Sequence, residues 1–257
     1  MLILNTERML FMKIAKKLRF TTREELVKHG AINIVVFGDS VTHGAGAKGV
    51  IDYESVYWNR LRKKLNALNP YPPVNIINSG IGATSADNSQ HRFVSQALRY
   101  NPDLIIMCFG LNDVHGTFEM FDTALHNMFS MAKEHGADVI FLTPNMLNTY
   151  VADDLEGEEF IECAHRTARL QTDGTMDKFI DLAKSVCKEF DIPVCDCYAK
   201  WKELSKTEDI TMLLANRINH PTPEMHELFA EELYKMIITD YDRVEYTNDS
   251  TVYLGEK

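Results

Sequence analysis

Basic residues and long apolar runs are both scarce in this sequence. Its 257 residues include 27 Lys and Arg against 37 Asp and Glu, which gives a net charge of −10. Nucleic acids and anionic membranes attract proteins through basic patches, so we expect neither as the main partner. There is no apolar run of 18 residues and no signal-peptide core, since Lys13 interrupts the apolar stretch 9–14. We therefore expect a cytoplasmic protein.

Cysteine is also scarce, with five scattered residues that cannot all pair. Cys108, Cys195 and Cys197 lie in apolar, strand-like runs and are expected to be core thiols. No second Cys pair completes a metal or redox site with Cys195-x-Cys197. His220 and His226 lack both the spacing of helical metal ligands and an acidic companion, so no metal is expected.

One glycine pattern imitates a nucleotide site. Gly44-x-Gly46-x-x-Gly49 matches the dinucleotide fingerprint, but it begins seven residues after Phe37 instead of in the first turn after a strand. The second predicted strand also ends in Asn78, not in an acid. We expect no cofactor.

The pattern of apolar residues predicts strands that alternate with helices. The strands are predicted at 32–37, 74–78, 104–109, 138–143 and 193–196. Helices are predicted as two short ones within 1–30 and at 54–68, 87–100, 118–135, 177–190 and 222–241, with a small hairpin around Asn248-Asp249. This alternation indicates an α/β fold: a three-layer α/β/α sandwich around a five-stranded parallel sheet of flavodoxin-like order 2-1-3-4-5.

We expect a single domain over residues 1–257, with 1–30 as an N-terminal helical extension and 145–175 as an insertion. Six acidic residues lie between Asp153 and Glu162. They are typical of a solvated face. Because the insertion leaves the fourth strand at its carboxyl end, it is also a candidate wall or lid over a substrate.

The most informative stretch is 32–46, which reads I-N-I-V-V-F-G-D-S-V-T-H-G-A-G. Its β-branched run predicts a strand buried on both faces that ends at Gly38. Asp39 and Ser40 follow at the carboxyl end of the strand, where open α/β sheets bind ligands.

Polar groups also follow the next two predicted strands. Gly80 comes just after the second strand and Asn112 just after the third. In the order 2-1-3-4-5 these loops meet the Ser40 loop at one edge, and His220 reaches it from the loop before the last helix. A hydroxyl nucleophile, N–H donors and an imidazole base are the parts needed for acyl transfer.

These blocks resemble those of the SGNH, or GDSL-like, serine hydrolases. The matching residues are Gly38-Asp39-Ser40, Gly80, Gly110-Leu111-Asn112-Asp113 and His220-Pro221, and the resemblance runs from about 32 to 241. It implies that Ser40 is the nucleophile and His220 the general base. It also implies an oxyanion hole made of the Ser40 N–H, the Gly80 N–H and the Asn112 amide.

The sequence departs from the family at the third catalytic residue. Family members carry an Asp three or four residues before the histidine, where this chain has Arg217 and Asn216. The Asn216 amide oxygen is one candidate to accept the Nδ1 proton of His220, and a backbone carbonyl or a carboxylate elsewhere are the others.

Further residues on the same loops are candidates for substrate binding, namely Asp39, His43, Asp113 and His115. The alternatives are ordinary surface positions for the two histidines, a helix cap for Asn112 and a tight turn for Gly80 and Gly82.

The function expected from this resemblance is a serine esterase that removes small acyl groups, acetyl above all, from a sugar or another hydroxylated carrier. The substrate is then a small-molecule or glycan ester, and a homo-oligomer is left open. The alternatives are a lysophospholipase or thioesterase of the same family. A protein that retains the pocket but only binds a glycan or acyl ligand is a further alternative, which the missing acid motivates.

Overall fold

A computed structural model describes residues 11–241 of the chain. Five parallel strands form one sheet in the order β2-β1-β3-β4-β5, which confirms the predicted topology. The strands are β1 (Ile32–Gly38), β2 (Val74–Gly80), β3 (Leu104–Cys108), β4 (Asp138–Leu142) and β5 (Val194–Cys195).

The helices surround the sheet in two groups. One group contains α1, α4 and α11, and the other contains α5, α7, α8 and α9. Their bounds are α1 (Met12–Lys17), α2 (Arg23–His29), α3 (Ser40–His43), α4 (Tyr57–Leu68), α5 (Ala86–Ser89), α6 (Phe93–Gln96), α7 (Phe118–His135), α8 (Glu158–Thr172), α9 (Thr175–Glu189), α10 (Cys197–Leu204) and α11 (His226–Tyr241). The two helices predicted within residues 1–30 are thus present, and the second has the predicted capping box of Thr22 and Glu25.

The central strand explains the apolar run that the sequence displays. Six of the seven residues of β1 are buried because the strand pairs with β2 on one side and β3 on the other and is covered on both faces. The register brings Gly38 opposite Gly80 and Cys108. The loops that follow these three strands therefore start at the same edge of the sheet.

The helix predicted over 87–100 is interrupted. It is replaced by α5, α6 and two short 3₁₀ turns. Arg92 lies in the first of these turns, and its guanidinium donates hydrogen bonds to the carbonyls of Ser79 (2.6 Å) and Gly38 (3.2 Å). Its cation also stands 4.2 Å from the centre of the Phe37 ring. These tertiary contacts offset the loss of helical hydrogen bonds, which periodicity alone does not reveal.

The remaining differences concern the start of the last helix and two helices that were not predicted. The last helix begins at His226 instead of 222, because Pro221 pairs with Leu214 in an isolated bridge and the chain turns once more before the helix. The insertion contains a regular helix, α8, and α10 follows β5, neither of which was predicted. The hairpin expected around Asn248-Asp249 lies outside the described residues.

We expect Gly80→Ala to destabilise the protein, because the end of β2 is in contact with the backbone of α3. A Cβ atom at Gly80 would lie 2.4 Å from the His43 nitrogen and 2.6 Å from the Thr42 carbonyl carbon. Backbone atoms cannot move aside as a side chain does, so the cost should be about 3 kcal/mol of unfolding free energy, at the upper end of the usual range for overpacking. Urea denaturation measures it. In the control Gly116→Ala, the nearest atom lies 3.4 Å away. Equal losses in the two variants would contradict this close packing.

Candidate active site

The Ser40 loop is a sharp turn from strand to helix. β1 ends at Gly38, and Ser40 is the first residue of α3, a single helical turn. Asp39 caps that turn by accepting a hydrogen bond from the Val41 N–H at 2.9 Å. Gly38 has no room for a side chain, since its Cβ would lie 2.5 Å from the Cys108 carbonyl oxygen. The backbone of Ser40 is consequently held at the edge of the sheet.

His220 meets Ser40 as the sequence predicts. Its Nε2 lies 3.0 Å from the Ser40 Oγ, and its Nδ1 lies 2.9 Å from the carbonyl oxygen of Gly46. A carbonyl oxygen only accepts hydrogen bonds, so the proton of the neutral ring is on Nδ1. Nε2 then has its lone pair directed at the serine hydroxyl, which is the tautomer that a general base requires.

Burial sets the protonation of this histidine. Burial lowers the pKa of His220 below its ordinary value of 6.5, and the hydrogen bond to Gly46 opposes the shift in part. The imidazole is therefore neutral at pH 7 and able to accept a proton.

The loop between α3 and α4 presents the Gly46 carbonyl. Ala45 and Ile51 pair in an antiparallel bridge, and the Gly46 N–H donates to the Val50 carbonyl at 3.0 Å. The Gly44 carbonyl accepts from Asp52 at 2.8 Å. With its backbone bonded in this way, the loop fixes a carbonyl opposite Nδ1.

Asn216 does not orient the imidazole, which corrects the sequence interpretation. Its side-chain oxygen accepts hydrogen bonds from the backbone N–H groups of Ile218 (3.1 Å), Asn219 (2.9 Å) and His220 (2.9 Å). Asn216 thus shapes the turn that carries His220, while the Nδ1 partner is the Gly46 carbonyl. Among residues 11–241 no carboxylate is hydrogen-bonded to the His220 ring.

Arg217, at the other family position, bonds to the insertion and not to the histidine. Its φ of 59° is in the left-handed region, and its guanidinium pairs with Asp154 at 2.9 Å. It also donates to the carbonyls of Met212 and Leu214. Arg217 joins the insertion to the His220 loop.

The candidate oxyanion donors need one revision. The Gly80 N–H already donates to the Asn78 side chain at 2.9 Å. The next loop residues, Gly82 and Ala83, have no acceptor for their N–H groups within residues 11–241, and a Cβ at Gly82 would lie 3.9 Å from the Ser40 Cβ. This loop, more than Gly80 itself, offers free donors beside Ser40. The sequence signal was weak, since only the second glycine of Gly80-Ile81-Gly82 pointed to it.

Asn112 supports the same loop. One proton of its side-chain amide is donated to the Thr84 carbonyl at 2.9 Å. The amide carries a second proton that is available to a ligand. Ala83 holds an uncommon left-handed φ of 59° in this loop, the kind of backbone strain found at functional sites.

Two predicted substrate contacts are instead interior groups. Asp39 is fully buried, and burial together with the negative charge of Asp113 raises the pKa of its carboxyl to about 7. Asp113 accepts backbone hydrogen bonds from Ala86 (2.7 Å) and Gly110 (2.8 Å), and burial raises its pKa to about 6. Both carboxyls hold loops together and neither faces a substrate.

The two predicted histidines occupy different positions. His43 is partly buried on α3, with Nε2 3.3 Å from the Tyr53 hydroxyl, and a Cβ at Gly82 would lie 3.8 Å from its Nδ1. It is beside the site. His115 is exposed, and partial desolvation and the nearby Arg166 lower its pKa. Within residues 11–241, no three His, Cys, Asp or Glu side chains are grouped to hold a metal ion.

A cleft of about 610 Å³ opens beside His220. Its walls are the loop 45–51, residues 154–160 of the insertion and the turn 215–217. The insertion predicted as a wall does border this edge of the molecule.

Comparison with known proteins agrees with the motifs. The model of the GDSL-like lipase/acylhydrolase family matches residues 36–228. The uncharacterized lipoprotein YqeF of Bacillus subtilis (strain 168) is 23% identical over 214 residues, which cover 76% of this chain and 85% of that protein.

Solved structures share the fold. Axe2, an acetylxylan esterase from Geobacillus stearothermophilus, superposes with a TM-score of 0.63 at 19% identity, covering 80% of this chain and 94% of its own. The acetyl xylan esterase AlAXEase superposes with a TM-score of 0.63 at 20% identity, covering 80% of this chain and 100% of its own. Catalytic mutants of Axe2 change a serine, a histidine and an aspartate three residues before that histidine. At that spacing this chain has Arg217.

Every helix within residues 11–241 is too short or too polar to span a lipid bilayer. The expected cytoplasmic location stays a prediction.

Asp39→Asn should make stability less sensitive to pH. The pKa of this carboxyl is about 7 in the folded protein and near its ordinary 3.8 in the unfolded chain. Between pH 4 and 7 only the unfolded chain therefore releases the proton. The wild type loses stability over that range, by up to about 4 kcal/mol. Asparagine keeps an oxygen that accepts the hydrogen bond from the Val41 N–H, but its side chain does not titrate. The variant therefore lacks this pH-dependent loss of stability.

The melting temperature of Asp39→Asn should thus rise relative to wild type from pH 4 to pH 7 and then level off. The variant Asp181→Asn, at an exposed position of α9, is run in parallel as the control. A constant difference between Asp39→Asn and wild type at every pH would show that Asp39 is ionised in the folded protein.

Proposed function

The chain belongs to the GDSL-like lipase/acylhydrolase family and is a serine carboxylic ester hydrolase, and we propose that it removes small acyl groups, acetyl above all, from a carbohydrate through an acyl-Ser40 intermediate. One observation carries this proposal: the Ser40 hydroxyl, the His220 imidazole and the Gly46 carbonyl form a continuous hydrogen-bonded chain of 3.0 Å and 2.9 Å.

The first step follows from this geometry. His220 Nε2 takes the proton of the Ser40 hydroxyl while Oγ attacks the ester carbonyl carbon. The imidazolium keeps its Nδ1–H bond to the Gly46 carbonyl, whose dipole stabilises the new positive charge. A neutral carbonyl does this less strongly than a carboxylate, so the base remains weak and neutral before the reaction.

The negative oxygen formed by this attack needs preorganised donors. We assign this role to the Ser40 N–H at the start of α3, a free N–H of the loop 82–83 and the second amide proton of Asn112, which is bonded to that loop at Thr84. The left-handed Ala83 gives that loop a fixed shape, which suits donors that must already be in place when charge develops.

The proposed substrate, an acetyl group on a carbohydrate carrier, has separate support. Axe2 and AlAXEase act, by their names, on acetylxylan, and they have this fold. The family also includes lipases, so lysophospholipids and thioesters are the competing substrates. A protein that only binds such ligands is less consistent with a serine and a histidine held in reacting geometry.

We expect a fluorophosphonate probe to label Ser40, and Ser40→Ala to lose both labelling and hydrolysis of p-nitrophenyl esters. Within an ester series from acetate to octanoate, the wild-type kcat/KM should fall steadily. Mass spectrometry locates the label, and Ser55→Ala, which keeps Ser40, is the control. Labelling that persists in Ser40→Ala would exclude Ser40 as the nucleophile. A maximum at octanoate would indicate a lipase or thioesterase, and an unlabelled, inactive wild type would indicate a binding protein.

The pH dependence of kcat/KM should reflect the low pKa of His220. Only the neutral imidazole accepts the serine proton, so activity should fall on acidification with a midpoint below 6.5. The rate profile between pH 4.5 and 8 measures this midpoint. A carboxylate on Nδ1 would stabilise the imidazolium and raise the pKa. A midpoint clearly above 6.5 would therefore show that the Gly46 carbonyl is not the partner in the working enzyme.

A further inference from the structure

The cleft beside His220 is lined by the histidine of the Ser40–His220 pair but not by the serine. Its walls carry His220, but Ser40 and the loops after β2 and β3 are not among the residues that line it. The cleft therefore lies on the histidine side of the scissile bond, away from the free N–H donors of the loop 82–83.

The chemistry of acyl transfer assigns a role to that side. When the tetrahedral intermediate collapses, the bond from the carbonyl carbon to the alcohol oxygen breaks and its electron pair goes to that oxygen. The oxygen takes the proton that His220 Nε2 received from Ser40, so the departing alcohol must lie next to His220. The acyl group stays on Ser40 until water attacks the ester, with His220 again taking a proton.

The walls of the cleft define the character of the alcohol. Val50 and Ile51 are large apolar residues that are 50% and 43% exposed on its surface. The two cations among the described residues lining it are both engaged: Arg217 pairs with Asp154, and the Lys48 ammonium stands 4.3 Å from the centre of the Phe160 ring. An anionic carrier thus finds no uncommitted cation there.

We propose that this cleft is the subsite for the alcohol half of the ester, and that it takes an uncharged oligosaccharide. Pyranose rings combine apolar faces with hydroxyl edges, which match an apolar floor with a charged rim. The volume of about 610 Å³ is that of a ligand site, roughly 300–1,000 Å³, and exceeds what one sugar ring fills. The inference rests on the proposed function and makes Phe160 and the loop 45–51 determinants of specificity.

The test compares alcohols at constant acyl group and acyl groups at constant alcohol. Acetylated xylotriose and ethyl acetate form the first pair, and ethyl octanoate and ethyl acetate the second. We expect Phe160→Ala to lower the kcat/KM ratio of the first pair about tenfold, mainly through KM, because an apolar contact with the sugar is lost. Ala47→Trp, which places an indole in the cleft, should lower the same ratio. The matched control is Tyr71→Ala, an exposed aromatic at the opposite end of the sheet.

The outcomes separate this inference from the proposed function. A change in the second ratio without a change in the first would make the cleft an acyl subsite and overturn the inference. The inference would also be overturned if neither Phe160→Ala nor Ala47→Trp changed either kcat/KM ratio. A wild-type protein that hydrolyses none of these esters would instead refute the proposed esterase itself.

Discussion

The site depends on the close contact between the ends of β1 and β2 and the single turn of α3. Gly38 and Gly80 are register partners, and neither has space for a Cβ atom, because the backbone or side chain of residues 42 and 43 occupies it. This contact sets Ser40 directly on the edge of the sheet. Arg92 reinforces it with hydrogen bonds to carbonyls of both strands, and its guanidinium stays protonated at neutral pH although burial lowers its pKa to about 10. A rigid platform under the serine is what preorganised catalysis requires.

Beneath this platform lie two buried carboxyl groups. One oxygen of Asp39 has no hydrogen-bond partner among the described residues, and Asp113 bonds only to backbone N–H groups. Desolvation without a counter-charge raises the pKa of both, so Asp39 is partly protonated at neutral pH. Positions that resemble substrate contacts in the sequence thus hold the loops after β1, β2 and β3 in place at a cost in stability.

The use of a backbone carbonyl opposite His220 links the base to the substrate cleft. The loop 45–51 supplies the Gly46 carbonyl on one side and lines the cleft on the other. Arg217, in the position of the usual acid, joins the insertion to the same region through Asp154. The departure from the family pattern therefore replaces one carboxylate with a salt bridge to the insertion, and the loop that orients the imidazole also lines the cleft.

The sequence alone predicted the alternation of buried strands and helices and the turn at Ser40, because both follow from short-range pattern, while the pairing of Ser40 with His220 was implied by the resemblance to the SGNH hydrolases. It did not determine the Nδ1 partner, since a backbone carbonyl carries no residue signature and any residue at 46 has one. Three further features could not be predicted from the sequence: the free donors at Gly82 and Ala83, the buried state of Asp39 and Asp113, and the interruption of the helix predicted over 87–100. Each depends on contacts between segments distant in the chain, such as Arg92 with Gly38, and only the tertiary structure decides which hydrogen-bonding groups those contacts use and which they leave free.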